Sequence, residues 1–185
     1  MRWRIRGLYA SLCLSLFGLT GCTSTAPEEI VRKDCSHWDS LESEIDSSQL
    51  VQNLGWVSDH ADILSANAEA KIAEKLQQLE SATQHQVVVV TVENLHQVSI
   101  EDYTMALGNA WGIGRVVEND GVVFLVAPNE RKVRIAVGCG LETVVTNQKA
   151  SNIIQTVILP YFQSGNYENG ISEGVQRIIS TLENG

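Results

Sequence analysis

The side chains best suited to chemistry in this 185-residue chain are oxygen donors. Asn119 and Asp120 stand together before one apolar run and Glu142 follows another; Asp59 and Asp62 flank His60; Glu93 closes a run of valines, and Asn147 opens an amphipathic stretch. Carboxylate and carboxamide oxygens without nitrogen or sulfur partners are the ligand set of calcium or magnesium. Asp59, Asp120 and Glu142, with Asn119 and Asn147 as weaker donors, would hold such an ion alongside water. The same residues have a plainer reading. Asn119-Asp120-Gly121 is turn chemistry, Asn147 can cap a helix, and Asp59 can accept from loop amides. No complete catalytic set competes with either reading. The chain has no H-E-x-x-H and no C-x-x-C. Val145 stands six residues after Cys139, where a cysteine-phosphatase loop needs arginine, and no D-x-D pair offers an aspartyl-phosphate. His37, His60, His85 and His96 are scattered, while Arg115 and Arg134 read as loop and strand cations pairing with an acidic surface.

Those donors can meet only if the elements between them bring them together. Gly121 to Ala127 is apolar throughout, as in a strand covered on both faces, and Lys132 to Val137 alternates with Val133, Ile135 and Val137 on one side. Pro128-Asn129-Glu130-Arg131 between them is a tight turn, so the two strands form an antiparallel hairpin. Asn119 and Asp120 at its start and Gly138 to Glu142 at its end therefore share one end of the sheet, about 20 Å from the turn at roughly 3.3 Å per residue. Gln86 to Glu93 is a third strand, apolar on both faces. If it runs parallel to the second hairpin strand, Glu93 reaches the same edge, where open α/β sheets bind ligands.

Four helices are predicted around these strands. Ser65 caps the first, to about Thr83, with Ile72, Leu76 and Leu79 on one face; Ser99 caps the second, to about Trp111, where Gly112-Ile113-Gly114 stops it. The third runs from about Asn147 to Tyr161 and is weakened at its end by Pro160, and the last from about Tyr167 to Leu182. Apolar strands interleaved with amphipathic helices predict a three-layer α/β/α sandwich whose mixed central sheet contains a β-hairpin. A dinucleotide-binding Rossmann fold is excluded, because Gly112-Ile113-Gly114 ends a helix instead of joining a strand to one.

The chain carries a formal charge of −9, which argues against nucleic acid as a partner. Arg2, Arg4 and Arg6 precede an apolar run from Leu8 to Leu19, the order of a bacterial secretory signal, and twelve residues are too few to span a bilayer. The run ends in Leu19-Thr20-Gly21-Cys22, which resembles a lipoprotein lipobox. That resemblance implies cleavage after residue 21, acylation of Cys22, and outer-membrane sorting facing the periplasm, because Thr23 and not an aspartate follows. Acyl chains at about 0.8 kcal/mol per buried methylene anchor a protein firmly. Removal of the three arginines takes the 13 basic residues to 10 against 22 acidic ones, a net −12. The predicted organisation is a signal at 1–21, a lipidated Cys22 with a polar tether to residue 55, and a domain at 56–185. Cys35 and Cys139 are then the remaining thiols in an oxidising compartment, where they either pair as a disulfide or stay free.

Within the domain, several motifs stand in a recognisable order. They are Val57-Ser58-Asp59-His60-Ala61-Asp62-Ile63-Leu64-Ser65, Trp111-Gly112-Ile113-Gly114, Asn119-Asp120-Gly121 with the apolar run to Ala127, Arg131-Lys132-Val133-Arg134-Ile135 and Gly138-Cys139-Gly140-Leu141-Glu142. Together they resemble the TPM domain family, over roughly Trp56 to Leu182. The family occurs in thylakoid-lumen photosystem II repair proteins and in many bacterial secreted or membrane-anchored proteins. The resemblance implies an α/β/α sandwich and raises Asp59, Asp120 and Glu142 as acidic positions. It also implies, through some plant members, acid phosphatase activity with divalent-metal or calcium binding. Asn147 departs from the pattern, since many relatives carry aspartate there. The leading expectation is a lipid-anchored module that binds an envelope protein, with a weak metal-dependent phosphatase as the alternative.

Overall fold

The computed structural model describes Ile45 and residues 47–185. The chain divides after Val31 into two units, and every described residue lies in the second, Arg32–Gly185. Cys22 and Cys35 lie outside the described residues.

Four strands form one sheet in the order β1-β2-β3-β4: β1 Val57–Asp59, β2 Gln86–Thr91, β3 Gly121–Ala127 and β4 Lys132–Val137. β1 and β2 are parallel, β2 and β3 are parallel, and β3 and β4 form the antiparallel hairpin. The first two helices are α1 Ala66–Thr83 and α2 Ile100–Trp111, capped by Ser65 and Ser99, whose hydroxyls accept from the amides of Ala68 and Asp102. α3 spans Asn147–Ile153, with Thr146 and not Asn147 as its cap, and continues through a π turn at Ile154–Ile158 into α4, Leu159–Gln163. Pro160 explains that turn: it has no N–H to give, and its ring collides with the carbonyl four residues back unless the helix widens. The helix thus accommodates the proline and does not fray there. α5 is Tyr167–Glu183.

The period of two along each strand sends alternate residues to opposite faces and makes two cores. Val87, Val89, Val122, Phe124 and Val126 pack against α1 and the α3 to α5 layer; Val88, Val90, Val123 and Leu125 pack against α2. This is the expected α/β/α sandwich with its mixed sheet.

The α2 face has a covering that polar composition did not announce. Ile45, Leu50 and Val51 pack against the core beneath α2. The Tyr103 hydroxyl donates to the Gln49 carbonyl at 3.2 Å and the Trp111 indole N–H to the Val51 carbonyl at 3.3 Å. Trp111 is partly buried and packs against that core, and the last residues before Trp56 belong to the folded body. A chain beginning at Trp56 is expected to be less stable than one beginning at Ile45 by about 2–4 kcal/mol, from lost apolar burial and two hydrogen bonds. Urea denaturation of the two chains measures this, and equal midpoints would show that the segment adds nothing.

Candidate functional site

Strand direction decides which oxygen donors meet. Because β2 runs parallel to β3, the first hairpin strand, and not to β4, its carboxyl end lies beside that of β3. Glu93 therefore leaves the sheet at the end opposite Asp120, which corrects the expectation that it joins that edge. Asp59, in register with Thr91, is at the far end too. Asp59 and Asp120 are separated by the length of β2, about 15–20 Å at 3.3 Å per residue. The trio Asp59, Asp120 and Glu142 is not one site.

The hairpin deduction does hold at its own end. Gly121 accepts through its carbonyl from the Gly138 amide at 2.7 Å, and Asn119 from the Gly140 amide at 3.0 Å, so the chain around Asp120 lies against the chain leading to Glu142. Glycines make this approach possible. A Cβ on Gly140 would strike the Glu118 carbonyl, one on Gly138 the Asn119 carbonyl, and one on Gly121 the Ile113 carbonyl.

Asp120 is the buried acid of this end, with 2% of its surface exposed. Its Oδ1 accepts from the Arg115 backbone N–H at 2.8 Å; its Oδ2 accepts from Arg115 Nε at 2.8 Å and Nη2 at 2.6 Å. His85 Nδ1 lies 3.2 Å from the same Oδ2. Burial alone would raise the Asp120 carboxyl, but the Arg115 guanidinium and amide, with His85, outweigh it and hold the group below the usual aspartate range. Arg115 is steadied in turn by Gln84 Oε1 at 3.0 Å and Glu118 at 3.5 Å, and Gln86 Oε1 accepts from the Gly114 amide at 2.8 Å. Three successive residues from the end of α1 to the start of β2, Gln84, His85 and Gln86, thus fasten the loop between α2 and β3. Arg115 and Arg134, the latter 3.4 Å from Glu101, pair with acids as their sequence context indicated.

At the far end Asp59 is engaged just as fully. Its Oδ2 accepts from the Leu64 amide at 2.8 Å, and its Oδ1 accepts from the buried hydroxyl of Thr91, which itself accepts from the Ala61 amide at 2.9 Å. His60 Nε2 contacts the Gln52 carbonyl at 2.8 Å. Asp62 is exposed in a left-handed conformation (φ 51°), and the Glu69 carboxyl nearby is raised by burial and by the charges of Asp59 and Asp62. Glu142 is half-buried just after the 3₁₀ turn Cys139–Leu141, and Asn147 is exposed on the first turn of α3.

The donor set does not fit the divalent ion that the resemblance implies. Both Asp120 oxygens face cationic or amide donors, the Asp59 oxygens face the Leu64 amide and the Thr91 hydroxyl, and the two carboxylates are at opposite ends of the sheet. Among the described residues no three His, Cys, Asp or Glu side chains are grouped to hold a metal ion. The cavity beside this end, lined by Thr104, Asn109, Asn119, Gly138 and Cys139, is about 110 Å³, against the roughly 300 Å³ and more of ordinary ligand sites. Cys139 is buried and disulfide-bonded, so it is no nucleophile; Cys35, the other thiol of the sequence reading, lies outside the described residues. His85 is the residue that sequence reasoning missed. It is 35 positions from Asp120, and only the register of Gln86 with Gly121 brings it there.

A family model described as TPM domain matches residues 57–181. The solved N-terminal domain of a Porphyromonas gingivalis protein is 31% identical, with a TM-score of 0.67, over 76% of this chain and 89% of that one. The BA42 protein of Bizionia argentinensis is 20% identical (TM-score 0.58; 66% of this chain, 83% of that one). The N-terminal domain of a Corynebacterium glutamicum protein is 15% identical (TM-score 0.56; 75% and 84%). The last two likenesses bear on the fold alone. No curated protein matches the chain.

Replacement of Asp120 by Ala is expected to cost about 2–4 kcal/mol, since it empties a buried acceptor that holds the loop. The pH dependence has a fixed sign. With the folded value below the ordinary 3.8, the carboxylate's stabilisation is complete above that value and is lost as pH falls through the folded one. Asp120→Asn should therefore flatten the acid limb of stability against pH, and an unchanged acid limb in urea melts would contradict the assignment.

Proposed function

The chain belongs to the TPM domain family, and from that premise we propose that it is a binding module held at a membrane surface, where it engages an envelope protein without catalysing a reaction itself. The observation that carries this reading is the engagement of Asp59 and Asp120 by structural donors at opposite ends of the sheet. A metal-dependent phosphatase needs convergent free carboxylates to activate water. Asp59 and Asp120 shape loops instead.

What the Asp120 cluster does present is a fixed loop with an apolar tip. Val116 is 92% exposed and Val117 49%, directly after the Arg115 that Asp120 anchors. Adjacent exposed valines on a tied loop suit a protein contact, where apolar surface is covered and little conformational freedom remains to be lost. The disulfide at Cys139 supports an oxidising compartment such as the periplasm. The lipobox-like Leu19-Thr20-Gly21-Cys22 supports a lipid anchor, with outer-membrane placement following from Thr23. Among the described residues no helix is long and apolar enough to cross a membrane.

Two measurements test the proposal. Cys22→Ser should abolish incorporation of labelled palmitate into the protein in cells that process lipoproteins; unchanged labelling would contradict the lipid anchor at Cys22. The purified chain should not hydrolyse a phosphate monoester above the buffer rate, with or without added calcium or magnesium. Saturable turnover abolished by Asp120→Asn would overturn the non-catalytic reading.

A further inference from the structure

A second concavity lies at the other end of the sheet from the Asp120 loop, beneath the hairpin turn. Its volume is about 510 Å³, within the roughly 300–1,000 Å³ of small-molecule sites. Val126, Leu159, Phe162 and Tyr167 supply an apolar wall, with the Phe162 and Tyr167 rings 4.9 Å apart at 53°, and Arg131 and Lys132 stand at the turn. It opens at the carboxyl end of β3, where open α/β sheets receive ligands.

Charge makes this concavity informative. The chain is strongly acidic, yet among the described residues no carboxylate lines the site. Arg131 and Lys132 are exposed and, among the described residues, form no ion pair. The nearest acids in sequence are engaged elsewhere. Glu130 accepts from the Leu95 amide at 2.8 Å and so points to the α2 side of the sheet, whereas Val126 and Phe162 belong to the opposite core. Glu168 accepts from the Ser65 amide at 2.9 Å. Two cations without counter-charges among the described residues, beside an apolar wall, suit a molecule that is itself anionic at one end and apolar at the other.

We propose that the concavity between the β3–β4 turn and the start of α5 binds a small organic anion, a carboxylate, sulfonate or phosphate group joined to an apolar or aromatic body, with Arg131 and Lys132 taking the charge and Phe162 and Tyr167 the body. The site is separate from the Val116–Val117 loop, and either assignment can fail without the other.

Two dyes of similar aromatic body test it on the unit Arg32–Gly185, which contains both cores: anionic anilinonaphthalenesulfonate and neutral phenylnaphthylamine. The anionic dye should bind saturably at one site, with amide shifts concentrated at 126–132 and 159–167. Arg131→Asn with Lys132→Gln should weaken it about tenfold or more, as expected for loss of charge-assisted bonds, and leave the neutral dye unchanged. Asn is chosen at 131 because it tolerates the left-handed backbone there (φ 54°), and both positions are exposed, so the variant should fold, as its amide spectrum will show. Phe162→Ala should weaken both dyes. No saturable binding by the unaltered chain, shifts centred elsewhere, or equal affinity in the double charge variant would overturn the proposal.

Discussion

A buried carboxylate that must be balanced governs the architecture at one end of this domain. Asp120 sits at the mouth of the fully buried strand β3, and a charge there is costly unless donors converge on it. The chain supplies them from two directions: Arg115 from five residues upstream, through side chain and backbone, and His85 from the entry to β2. Satisfying that charge fixes the path of residues 112–120, and that path requires Gly121, Gly138 and Gly140 where backbone meets backbone. The glycine-rich motifs and the acid are thus one device, and the exposed valines ride on it.

The direction of β2 is the second constraint. Two parallel pairs and one antiparallel pair put Asp59 and Glu93 at one edge and Asp120 with the Glu142 segment at the other. Acids that would look like a cation site if gathered become two separate turn-stabilising devices. At the Asp59 edge the buried Thr91 hydroxyl plays the part that Arg115 and His85 play at the other, joining an acid to a loop amide. The loops at the two ends differ: an apolar tip above Asp120, and an apolar cavity flanked by cations below the hairpin turn.

Much of this could be read from residue patterns. Helix starts at Ser65 and Ser99 and the hairpin about Pro128 to Arg131 followed from local chemistry, because caps and turns depend on neighbours in sequence. The proximity of Asp120 to the Glu142 segment followed from the hairpin alone. The direction of the valine strand did not, since an all-apolar run has the same pattern whichever way it lies. Nor did the His85 contact, which rests on long-range register, or the docking of Leu50 and Val51, two apolar residues within a polar stretch. Pro160 read as a weakness, whereas a π turn absorbs it inside a longer helix.

With both oxygens taken by Arg115 and His85, Asp120 serves the fold and not a cation. Titration of calcium and magnesium into the domain, followed through the backbone amide resonances of Arg115, Asp120 and Gly121, tests it most directly. No saturable shift is expected at these amides at millimolar ion. A saturable shift that disappears in Asp120→Asn would contradict it and restore this edge as a metal site.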